Sequence, residues 1–144
     1  MTDSVLTRMD EIETAAVAFF STRAVKRSLL QHFTNHAEGE LEKGVIMIIS
    51  RGEGDYKNGL GMTAKEGTQT VLFVCHIKVA DDLEPVDVEK AEGALIEEIK
   101  SFLKQGVPGM SLKPERFDQS QQLEHPYGWV VAKLKAAPPQ QGTH

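Results

Sequence analysis

The sequence predicts a single α+β domain, in which a mixed, mostly antiparallel sheet of about four to five strands carries helices packed on one face. Three observations predict it. The β-branched block at residues 45–49 and the unbroken apolar run at 70–79 are too short for buried helices and read as strands. An amphipathic pattern at 86–104 follows the second of them with helical spacing. An aromatic segment at 127–134 then closes the order as a further strand. The domain is expected to span residues 1–135, with a mobile glycine-rich loop at 50–67 and a flexible tail at 136–144.

Taken in order, Val5, Met9, Ile12, Ala16 and Phe19 recur every three or four residues and predict a first helix, which Asp3 or Ser4 can cap. Val25, Leu29, Leu30 and Phe33 continue the periodicity past Ser21 and Thr22, so either one long bent helix or, in preference, a second helix after a capped break is expected. Gly39 and Gly44 bracket a short polar link into the strand at 45–49. Between 50 and 67 stand Gly52, Gly54, Gly59, Gly61 and Gly67 among polar residues, where backbone ordering has little apolar burial to offset it. This predicts a loop or the tip of a long hairpin. The run at 70–79 is apolar on both faces, so helices should cover one side and a partner chain the other. Asp81, Asp82 and Glu84 precede Pro85, and acids at that position suit the positive end of a helix dipole. The helix buries Val88, Leu95, Ile99 and Phe102, and Gly106 with Pro108 stops it. Residues 113–122 read as a polar edge strand, with Pro114 where a missing donor costs least.

A chain of 144 residues with 40% apolar and 26% charged residues can bury a core unaided and is not disordered by composition. Its formal charge of -5 opposes nucleic-acid binding, which needs a concentrated basic surface. Arg23, Lys26 and Arg27 read as a solvated cluster. Cys75 is the only cysteine, so no internal disulfide framework exists, and its neighbours predict a buried thiol. The amino terminus lacks a secretory pattern and no apolar run reaches membrane-spanning length, so synthesis in a cytoplasm is expected.

Motifs for chemistry are incomplete. Gly54 and Gly59 have P-loop spacing, but Leu60-Gly61 follows where lysine and a hydroxyl are needed. His32, His36 and Glu40 recur every four residues and would share one face of a helix as zinc ligands. Phe33 stands where the metalloprotease motif has glutamate, and Gly39 interrupts the helix. His76 is expected to be a buried histidine with a hydrogen-bonded ring, facing away from Cys75 because neighbours in a strand point to opposite faces. No nucleophile elbow or Cys/His pairing is complete, which favours a binding or structural role without catalytic residues, cofactor or metal.

The order of elements, from the amino-terminal helix through the two apolar strands, the helix at 86–104 and Pro126-Tyr127-Gly128-Trp129 entering the last strand, resembles the tail terminator proteins of long-tailed bacteriophages, the minor tail protein U class. The resemblance covers residues 5–134. It implies a virion protein that forms a homo-oligomeric ring, a hexamer, on the end of the tail tube, stops tube polymerisation and offers a surface for head joining. Its partners would be copies of itself, the tail tube protein and a head-completion or connector protein, with no membrane. Arg51, Glu53, Asp55, Tyr56 and Lys57 would then form an assembly interface that orders on contact. Competing readings are another head–tail connector or tail completion protein, a small ligand-binding domain with a concave pocket beside its sheet, and a metal-dependent enzyme using His32, His36 and Glu40.

Overall fold

The structure, a computed structural model, describes residues 5–30, 32–54, 56 and 67–138. Helix α1 (Val5–Phe19) leads to a short strand β1 (Ala24–Lys26), a 3-10 turn (Phe33–Asn35) and helix α2 (Glu38–Lys43). Strands β2 (Val45–Gly54) and β3 (Thr68–Lys78) follow, then helix α3 (Pro85–Gln105) and strands β4 (Ser111–Gln119) and β5 (Tyr127–Ala137). The five strands form one sheet in the order β1-β2-β3-β5-β4. Only the β1–β2 pair is parallel. The α+β class expected from the sequence is the class observed.

Alternation along the strands assigns each residue to a face. Ile46, Ile48, Val71, Phe73, Cys75, Val130, Ala132 and Leu134 point to the main core, where α1 contributes Met9, Ile12 and Ala16 and α3 contributes Leu95, Ile99 and Phe102. Phe102 sits among Phe19, Phe20 and Phe73 with ring centroids 5.2 to 5.9 Å apart, within the range of favourable aromatic pairs. Val45 and Met47 point the other way and join Leu41 in a smaller second cluster. Helices α1 and α3 therefore share a face as expected, whereas α2 covers the opposite one.

Four expectations are corrected. The second helix over 25–33 is absent, because Val25 pairs with Ile46 as part of β1 and Leu30 and Phe33 instead pack over the second cluster. The polar link between Gly39 and Gly44 is α2, whose last turn ends at Gly44 through bonds to the carbonyls of Glu40 and Leu41. The strand at 45–49 continues to Gly54 through a bulge between Ser50 and Gly52, so residues 50–54, expected to belong to the loop, are paired with β3. The tail begins later than residue 136, since Ala136 is fully buried and pairs with Gln69 and Leu112. Asp3, Ser4 and residues 57–66 lie outside the described residues, as does most of the tail.

The remaining boundaries follow local chemistry. At the start of α3 the Glu84 amide donates to Asp87 Oδ2 at 2.9 Å, and Pro85 occupies the first turn, where its missing N–H would have no helical partner. Gly106 ends the helix with a φ of 83°, accessible to glycine without strain. Among the described residues no helix is long and apolar enough to cross a membrane.

Candidate functional site

The register of the sheet builds a concavity on its second face. His76 of β3 lies opposite Trp129 of β5, and Val74 lies opposite Val131, so these four side chains form one patch. The chain between β1 and α2 forms one wall through His32 and Phe33, and the β4–β5 connection adds Glu124. The concavity, open to solvent, has a volume of about 310 Å³. Phe33 is fixed by stacking on Tyr127, centroids 4.8 Å apart and planes at 19°, and by contact with the His76 ring at 4.7 Å.

Behind this patch two buried histidines meet. His36 Nε2 and His76 Nδ1 are 2.9 Å apart with rings nearly perpendicular. Burial pushes His76 down to about 4, with the neighbouring His36 adding to the effect. His36 is also lowered, by burial first and then by the charge of Lys26, against which Glu40 acts. Both rings are therefore neutral at pH 7, which suits a hydrogen bond between them in which one nitrogen donates and the other accepts.

A fully buried carboxylate holds the β4–β5 connection in place. Glu92 of α3 accepts from the Ser120 hydroxyl, from Gln119 Nε2 at 3.2 Å and from the Trp129 amide at 3.0 Å. This approach requires glycine at 128, where a Cβ atom would stand 2.6 Å from Val88 Cγ1 and 2.5 Å from Glu92 Oε2. The Pro126 carbonyl also accepts from the Val79 amide at 2.9 Å, so the connection is bonded to both α3 and the end of β3.

His32, His36 and Glu40 do not share a helix face. The two histidines flank the 3-10 turn in extended conformation, and Glu40 lies in α2 with its carboxylate 2.8 Å from Lys26 Nζ. Among the described residues no group of three or more His, Cys, Asp or Glu side chains is placed to hold a metal ion. Cys75 and His76 face opposite sides of the sheet, as strand alternation requires, and burial pushes the Cys75 thiol up.

The hairpin residues divide. Arg51 on β2 and Tyr56 beyond it are exposed, whereas Asp55 and Lys57 lie outside the described residues. Glu53 is turned into the fold. It pairs with buried Arg8 of α1 at 3.1 Å and accepts from the Gly67 amide at 3.0 Å and the Tyr56 hydroxyl at 2.9 Å. These donors together hold its carboxyl below the usual range although burial opposes them. Arg51 and Glu53 also border a second cleft of about 520 Å³ with Thr68, Thr70 and Lys135.

The patch of Val74, Val131 and Trp129 around His76 was not legible as a site, because three distant segments converge on it and only His76, a polar residue inside an apolar strand, stood out. Comparison with protein-family models and with curated proteins returns no match for this chain.

Proposed function

We propose that this protein is a structural component of a long phage tail, a ring-forming protomer that caps the tail tube, ends its polymerisation and provides the surface for head joining. The observation that supports it best is the uneven cover of the second sheet face. Residues of the β1–α2 segment cover Val45 and Met47, while the row Ile49, Leu72 and Lys133 and the row Thr70 and Lys135 remain only half-buried. The sheet edges are poor places for further strands. Edge strand β4 carries Pro114 and a bulge before Arg116, with charged side chains around them, and β1 is three residues long. Contact between copies is then directed to the open half of the face and to the hairpin that borders it. A closed ring needs this kind of heterologous contact, in which one patch meets a different patch on the next copy.

The test is the mass of the purified protein in solution, alone and with tail tube protein, together with electron microscopy of tubes polymerised in its presence. A discrete ring and tubes of limited length are expected. A monomer at every concentration that leaves tube length unchanged would refute the proposal.

A further inference from the structure

The cavity on the second face has a donor and acceptor pattern that the ring reading does not use. Its polarity begins with the orphan nitrogen of the histidine pair. His36 Nδ1 is buried and has no hydrogen-bond partner. An unpaired buried N–H is a rarer and costlier defect than an unpaired acceptor, so this nitrogen is the unprotonated one. His36 Nε2 then carries the proton and donates to His76 Nδ1. His76, which lines the cavity, must in turn carry its proton on Nε2.

The other walls add an acceptor and π surface. Glu124 supplies an exposed carboxylate, Trp129 and Phe33 supply aromatic rings, and Val74 and Val131 complete an apolar floor. Neither lysine nor arginine lines the space among the described residues. Among the described lining residues a phosphate would find no cation and would meet the carboxylate. The volume of about 310 Å³ lies at the lower end for small-ligand pockets, suited to one or two rings.

We propose that this pocket binds a flat, amino-substituted nitrogen heterocycle without a phosphate group, its ring against Trp129, its acceptor atom on His76 Nε2–H and its exocyclic amino group donating to the Glu124 carboxylate. A neutral donor and an anionic acceptor beside an aromatic wall select a ring that carries both hydrogen-bonding senses on its edge. The pocket is distinct from the open rows, which begin one row further along the sheet at Leu72 and Lys133.

Trp129 is the only tryptophan, so its fluorescence reports the pocket directly. Titration of the full chain with cytosine and with adenine should give saturable quenching, mirrored by saturation-transfer NMR on the free base. Pyrimidine, which keeps the ring acceptor but lacks the exocyclic amine and offers no donor, and cytidine 5′-monophosphate, which adds the excluded charge, should bind at least about tenfold more weakly. Glu124→Gln, at an exposed position, should weaken cytosine by about tenfold with an unchanged circular dichroism spectrum. Quenching that stays linear to about 10 mM base with no saturation-transfer signal would overturn the proposal. So would pyrimidine or the nucleotide binding as tightly as cytosine, or a Glu124→Gln protein that binds cytosine unchanged.

Discussion

At the residue scale, the histidine pair gives the protein a pH response whose direction follows from burial. Both folded rings are held below the ordinary value of 6.5, His76 down to about 4. As pH falls below 6.5 the unfolded chain takes up protons that the folded chain refuses, so stability is complete above that pH and is lost on the way toward about 4. Below that point the folded ring also protonates and the loss levels off. Urea unfolding at pH 7 and pH 5 should differ by about 1–2 kcal/mol on account of His76, with His36 adding in the same sense. The carboxylates contribute little above pH 5, so an unchanged midpoint across that interval would contradict the buried neutral pair.

At the element scale, the β2–β3 hairpin depends on one acid. Glu53 joins the stem to α1 through Arg8, closes the base through the Gly67 amide and positions Tyr56. Glu53→Ala removes the countercharge of a buried guanidinium whose next acceptor is Gln69 at 3.5 Å, and it strands the Gly67 donor. A destabilisation of about 2–4 kcal/mol is expected, with hydrogen exchange accelerating in the stem amides and at Arg8 before the strands at the sheet centre. Uniform acceleration across the sheet would show that the stem does not open as a unit. The glycines between 50 and 67 predicted a loop or hairpin tip there, but Gly52 and Gly54 are paired with β3, and the alternation expected of a strand is obscured by the bulge after Ser50. Within the polar stem Gln69 donates to Ser50, and Glu53 is satisfied by Arg8 of α1, which is remote in sequence.

At the scale of the whole molecule, the proposed assembly surface separates from the core. Leu72 is half-buried on the open rows, opposite Ile49 on one side and Lys133 on the other. Leu72→Glu should cost the isolated protomer less than about 1.5 kcal/mol, because the charge can reach water and the neighbouring Lys133. The same charge buried against a second copy has no such outlet. Sedimentation should therefore show loss of the oligomer with thermal unfolding nearly unchanged, and an intact ring in this variant would exclude the face as the contact. The unbroken apolarity of 70–79 raised the expectation of a covered second face. The structure assigns part of that cover to Leu30, Phe33 and Leu41 of the same chain.

Local patterning determined the fold class, the α3 boundaries and the central strands, because capping, periodicity and β-branched blocks act over a few residues and are written in the order of the chain. It misjudged 25–44, where apolar residues at helical spacing serve a three-residue strand and a covering segment. Spacing records which residues must be buried and leaves open the partner that buries them. The meeting of His36 with His76, the anchoring of Trp129 by Glu92 and the pocket between them are decided by tertiary structure alone. Each depends on strand register and on a crossover of residues distant in the chain, and neither is encoded in neighbouring positions.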